Sequence, residues 1–164
     1  LQSLSVPLHG RAKTFTMLQT LQDADVCGTD TGFYRCARSF QARSPKRGIV
    51  IPISDFFFPE GCEKGLKYLK WHKHDVFCLQ VQDRNDTRCS LTGDVLLVCK
   101  ETGSQKRVTV APELAARYEQ SVLDWDNTLK KACSRMGIPL AAAVPDIPFE
   151  FVIENILRNG GLVD

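Results

Sequence analysis

Residues 48–55 read GIVIPISD, and FFFPEG follows directly at 56–61. A short continuous apolar run bounded by turn residues fits a strand covered on both faces, as in a parallel sheet. Such a strand delivers Ser54 and then Asp55 to the rim of the sheet. Pro52 complicates the reading, because proline removes one ladder donor. An edge position or a bulge would accommodate it.

Working outward, helical and strand patterns alternate. Residues 3–9 (SLSVPLH) read as a short strand, followed by a brief helix with Phe15, Leu18 and Leu21 on one side. The loop at 26–30 (VCGTD) ends in helix N-cap residue types. The next helix carries Phe33, Ala37 and Phe40 inward and stops at the turn SPKRG, residues 44–48. Beyond the opening strand, a helix beginning near Pro59 and Glu60 carries Cys62, Leu66 and Leu69, and VFCLQVQ at 76–82 is a further strand.

The runs at 95–99 and 108–110 flank ETGS at 101–104 and predict a β-hairpin. Pro112 opens the clearest helix, in which Leu114, Tyr118, Val122, Trp125, Leu129, Ala132 and Met136 recur at spacings of three and four. Gly137 closes it and Pro139 prevents its continuation. A last strand at 140–144 leads to a helix with Phe149, Val152, Ile153, Ile156 and Leu157 inward, ending at Gly160 and Gly161. This order predicts a three-layer α/β domain over residues 1–164: a mostly parallel sheet, helices on both faces and one extra hairpin.

At 164 residues, 43% hydrophobic and 24% charged, the chain has the bulk properties of one soluble globular domain. A net charge of +2 gives no argument for nucleic acid. Lys64, Lys67, Lys70 and Lys73 follow one side of a helix and read as a solvated face rather than an anion site. The seven cysteines contain no C-x-x-C pair. Cys36, Cys62, Cys78, Cys99 and Cys133 fall at apolar positions, as free thiols do in a reducing compartment. No run approaches a membrane span, and no signal-peptide pattern opens the chain. A cytoplasmic location is therefore expected, and the missing initiator methionine suggests a fragment.

Ligands of open α/β sheets bind outside the carboxyl ends of the strands. Ser54, Asp55, Asp83 and Asp146 fall there, and the loop holding Thr29 and Asp30 should lie alongside. Hydroxyls and carboxylates on one rim suit a hard divalent cation such as Mg²⁺. Thr29 and Asp146 also read as helix caps, and Asp83 as the head of a polar turn. Asp55 is harder to assign to a turn, because Phe56, Phe57, Phe58 and Pro59 follow it. His72, His74, Cys78 and Cys62 raise a zinc reading, but solvated histidines beside a core cysteine explain them better. No G-x-S-x-G elbow, Walker A loop or G-x-G-x-x-G is present. Phe57 stands where a phosphate-transfer enzyme would place a second carboxylate.

The segment 53–56 (ISDF), with PEG at 59–61, resembles the central strand of von Willebrand factor type A-like domains. The closest likeness is to a bacterial group labelled as a domain of unknown function, whose members are often encoded beside MoxR-type AAA ATPases. Further pieces agree in order and spacing: CGTD at 27–30, HDV at 74–76, LQVQD at 79–83, LTGD at 91–94, ETG at 101–103 and PDIPF at 145–149. The resemblance implies a Rossmann-like fold and a metal-ion-dependent adhesion site. In that family the site combines D-x-S-x-S on the first strand, a threonine in a later loop and an aspartate after the next core strand. Thr29 and Asp55 match the last two, with Asp30, Ser54 and Asp83 as further rim residues. D-x-S-x-S is not in this chain. The resemblance therefore implies an N-terminally truncated domain, weak Mg²⁺ binding by this chain alone and open strand edges that favour self-association. It implies a non-catalytic module for a protein partner, in the setting of an AAA ATPase. The alternative is a metal-dependent hydrolase using Asp55, Asp83 and Asp146.

Overall fold

A computed structural model describes residues 10, 13–23, 32–99, 103–144, 148, 150, 151 and 154. In order these form α1 (Thr14–Gln22), α2 (Phe33–Arg43), β1 (Ile49–Val50), β2 (Ile53–Ser54), α3 (Glu63–Trp71), β3 (Asp75–Val76) and β4 (Cys78–Val81). They continue with α4 (Arg84–Thr87), β5 (Gly93–Val98), β6 (Gln105–Val110), α5 (Pro112–Arg135) and β7 (Leu140–Ala143). The architecture is mixed α/β. The segment at 3–9 and the inward residues of the last helix lie outside the described residues.

The opening stretch forms a parallel strand interrupted at its proline. β1 pairs with β3 and β2 with β4 in one continuous register, Ile49 to Asp75 and Ile53 to Leu79. Across the interruption, Phe77 N donates to Val50 O at 3.0 Å and Leu79 N to Pro52 O at 2.9 Å. Pro52 therefore keeps its acceptor and lacks only the donor that this register would aim at the Phe77 carbonyl. One missing bond divides both strands at the same level. β7 pairs with the far side of β4, so β4 is central and β1–β2 forms an edge of the described sheet.

Alternation separates the two faces. Val76 and Cys78 pack with Ala37 of α2, Leu66 and Leu69 of α3, and Leu129 and Cys133 of α5 in one buried core. These helices therefore cover the same face. Fully burying a residue such as Leu66 stabilises the fold by roughly 1.5–3 kcal/mol. On the other face Phe77 is buried with Leu79, Ala141 and Ala143 against it. Ile49, Ile51 and Ile53 on that face are exposed by 58%, 46% and 63%. Among the described residues, then, helices of the core cover one face of the sheet.

The expected brief helix is present as α1, which buries no residue. One expectation about burial needs correction. Cys99 was expected in an apolar environment but is exposed at the end of the hairpin, whereas Cys62, Cys78 and Cys133 are buried as expected. Alternation along a two-stranded ribbon carries no information about which side is covered. The hairpin strands β5 and β6 pair with each other in antiparallel register.

Long-range packing also has a steric requirement at Gly65. A Cβ there would stand 2.4 Å from Phe33 Cδ1 and 3.3 Å from Tyr34 Cα, so glycine lets α2 and α3 approach. At the end of α5, Gly137 adopts φ +60°, and Ile138 N bonds back to Cys133 O at 2.9 Å. This is the expected left-handed helix stop.

Candidate functional site at the sheet rim

Ser54 and Asp55 stand at the carboxyl end of β2, half-buried and exposed respectively. Each makes a local bond to the backbone two residues ahead. Phe56 N donates to Ser54 Oγ at 3.0 Å, and Phe57 N donates to Asp55 Oδ1 at 3.0 Å. Ser54 Oγ also lies 3.3 Å from Asp55 Oδ1, as donor. Together they hold the chain through Phe56, whose φ is 62°. A left-handed conformation is costly for a bulky residue. It persists here because Phe56 is completely buried.

The aromatic run after Asp55 anchors the loop from below. Phe56 and Phe58 pack against Phe33 with ring centroids 6.1 and 5.4 Å apart. The Trp125 indole N–H donates to Phe56 O at 2.8 Å, and its ring lies 6.3 Å from that of Phe57. The rim loop is therefore tied to α2 by apolar contact and to α5 by a hydrogen bond. Sequence spacing placed Trp125 inward, but nothing in the sequence pointed to this bond.

The residues after Asp55 are poor turn chemistry in sequence, yet its bond to Phe57 N forms an Asx-turn. That role uses Oδ1, and among the described residues no hydrogen bond engages Oδ2. One carboxylate oxygen thus faces outward from a braced loop. Asp83 follows β4, the parallel neighbour of β2, and its N–H lies 3.3 Å from Asp86 Oδ2. Asp86 N returns a bond to Asp83 O at 3.1 Å, which accords with the turn reading. Thr29, Asp30 and Asp146 lie outside the described residues.

The described rim residues fit a magnesium ion only in part. They provide an exposed carboxylate at Asp55 and a hydroxyl at Ser54 that is already shared with Asp55 and Phe56 N. Mg²⁺ requires near-octahedral oxygen coordination. No group of three or more His, Cys, Asp or Glu side chains suited to a metal occurs among the described residues.

His74 is buried, not solvated as expected, at 2% exposure. Its Nε2 lies 2.6 Å from Gln41 Oε1, and Gly48 N lies 3.3 Å from its Nδ1. Gln41 Nε2 in turn donates to Pro45 O at 3.4 Å. The ring nitrogens thus contact Gln41 on one side and the Gly48 backbone on the other. The ring joins the end of α2 to the start of β1.

The buried thiols have their own electrostatics. Burial, and next the nearby Cys133, push the Cys62 thiol up from 9.0 to about 11. Contact with Cys133 and then burial drive Cys78 far above the ordinary thiol range. These are protonated core groups rather than poised nucleophiles.

The family model described as "Protein of unknown function DUF58" matches residues 2–128. The chain belongs to this family. The DUF58 match takes in the rim loop with Asp55 and ends within α5, before β7. No curated protein and no solved structure matches the chain. No helix among the described residues is long and apolar enough to cross a membrane.

Proposed function

We propose that this DUF58 chain is a non-catalytic protein-binding module of von Willebrand factor type A-like architecture, with three layers and part of a metal-ion-dependent adhesion site. The supporting observation is Asp55, held at the end of a parallel strand with one carboxylate oxygen outward. In this reading Thr29 and Asp55 are protein ligands, Ser54, Asp30 and Asp83 lie near them, and a partner carboxylate completes the sphere. The partner works in the setting of a MoxR-type AAA ATPase, in assembly or activation of other proteins. A single strong carboxylate gives weak affinity for Mg²⁺ in the absence of that partner.

Mn²⁺ reports on such a weak site by paramagnetic broadening. Titrating the chain with Mn²⁺ should broaden the amide resonances of residues 54–57 together with those of Thr29 and Asp30. An excess of Mg²⁺ should reverse the effect, and Asp55→Asn should abolish it. Broadening that leaves Thr29 unaffected, or persists unchanged in Asp55→Asn, would remove this reading.

A further inference from the structure

Gln80 occupies the core face of β4, the central strand, with Ser54 beside it on one side and Ala142 on the other. It is 1% exposed, and its Nε2 has no hydrogen-bond partner among the described residues. An unpaired buried amide is costly, whereas leucine or methionine would fill similar space without that cost. Turning the amide over exchanges nitrogen for oxygen and leaves the same position unpaired. The side chain therefore offers a polar contact that the described protein leaves unmade.

Gln80 also lines a pocket of about 290 Å³ between α5 and the sheet. Ile138, Leu140 and Ala142 give the pocket an apolar side, while Ser134 and Lys130 of α5 stand across from them. A water molecule takes up roughly 30 Å³ in the liquid, so one bridging water would leave most of this space unfilled. Ser134 and Lys130 also belong to an adjoining groove with Lys131 and Arg135. Asp126 holds the Lys130 ammonium at 2.6 Å, and Glu63 lies 3.4 Å from Arg135. Lys131 adds a further positive charge at this mouth.

We propose that this pocket binds a small carboxylate with a short apolar chain. The Gln80 amide and the Ser134 hydroxyl donate to the carboxylate, Lys130 and Lys131 supply the favourable field, and the apolar chain lies on Ile138, Leu140 and Ala142. A small molecule suits a pocket of this size, which is at the lower end for ligand sites. The site lies on the helix-covered face, and it stands independently of any metal at the rim.

Hexanoate is the probe, with hexylammonium and hexanol as charge controls. Titration followed in ¹H–¹⁵N spectra should give saturable shifts of the Gln80 side-chain amide and of the Ser134 and Lys130 backbone amides. Hexanol should bind more weakly and hexylammonium weaker still. Gln80→Leu should lower hexanoate affinity by about ten-fold or more, the effect of losing a bond to a charged group. The same substitution should leave the ligand-free protein at least as stable as wild type. Ser134→Ala, on an exposed position of α5, should weaken binding several-fold with the fold intact. Equal binding of hexanoate and hexylammonium would overturn the proposal. So would unchanged affinity in both variants, or no saturable shift at Gln80.

Discussion

Trp125 reaches from α5 to donate its indole N–H to the carbonyl of Phe56 at 2.8 Å, across 69 positions of sequence. The same carbonyl accepts from Phe58 N at 2.9 Å, so the strained residue of the rim loop is held by two donors. Trp125→Phe keeps an aromatic ring against Phe57 and removes one of them. The expected loss is about 0.5–1.5 kcal/mol, the usual net worth of one hydrogen bond. Urea denaturation measures it. The amide shifts of residues 55–57 should move with the loss, and a variant as stable as wild type with unmoved shifts would show that the bond does not brace the loop.

Asp55 carries two roles that substitution can separate. Asparagine keeps a side-chain oxygen for Phe57 N and loses the charge, whereas alanine loses both. Asp55→Asn should therefore stay within about 0.5 kcal/mol of wild type, while Asp55→Ala should lose about 1 kcal/mol through the broken Asx-turn. Both should lose the Mn²⁺ response. Equal destabilisation by the two substitutions would mean that the carboxylate charge, not the turn bond, holds the loop.

This separation bears on what could be read from the sequence. The strands at 49–54 and 75–81 were legible because both carry near-continuous apolar runs between turn residues. The long helix was legible because Val122, Leu129 and Ala132 repeat with its period and are buried. Pro52 looked like an obstacle only because sequence does not show that its carbonyl would find Leu79 N. The Asx-turn of Asp55 was missed because Phe-Phe-Phe-Pro is an unusual turn composition; the conformation is imposed by burial of Phe56 rather than by local propensity. The hydrogen bond from Trp125 and the unpaired amide of Gln80 depend on three-dimensional neighbours and leave no mark in spacing. For Thr29 and Asp30 the resemblance remains the whole basis.

His74 gives a prediction about the core. Its ring links Gln41 and Gly48, so removing it leaves a buried amide oxygen and a backbone N–H without their partner. His74→Leu should cost about 1–3 kcal/mol, from the buried Gln41 amide oxygen that it leaves unsatisfied. The double variant His74→Leu with Gln41→Leu should recover part of that loss, because it removes the orphaned amide as well. Chemical denaturation of the two single variants and the double variant gives the coupling directly. Strict additivity would show that the two side chains do not act together.

The cysteines predict a labelling order and a pH window. Among the described cysteines, an alkylating reagent should reach exposed Cys99 first and half-buried Cys36 and Cys89 next, with Cys62, Cys78 and Cys133 protected until the protein opens. Because Cys62 is raised from 9.0 to about 11 in the fold, its neutral thiol contributes stability that is complete below pH 9. That contribution is lost as the pH rises to about 11, where only the unfolded chain ionises readily at first and the folded thiol follows. Cys62→Ala should therefore lose less stability than wild type between pH 8 and 11, whatever its own starting value. Parallel pH dependence in the two proteins would remove Cys62 as the cause.

Gly65 tests how closely α2 and α3 must approach. Alanine there places a methyl 2.4 Å from Phe33 Cδ1, a distance that forces movement. The Phe33 ring cannot yield freely, since it packs against both Phe56 and Phe58 behind the rim. The same methyl would also stand 3.3 Å from Tyr34 Cα, so it meets the backbone of α2 as well as a side chain. Replacing glycine by alanine inside a helix would by itself stabilise by about 0.5–1 kcal/mol. Overpacking of this kind costs about 1–3 kcal/mol, so the net effect of Gly65→Ala should be destabilising. The displaced ring should also shift the resonances of Phe56 and Phe58, connecting the helix interface to the Asp55 loop. Phe33→Leu in the same chain should relieve the clash, and the double variant should be more stable than the sum of the two single losses implies. A stabilised Gly65→Ala single variant would show that α2 and α3 have room that this packing denies them.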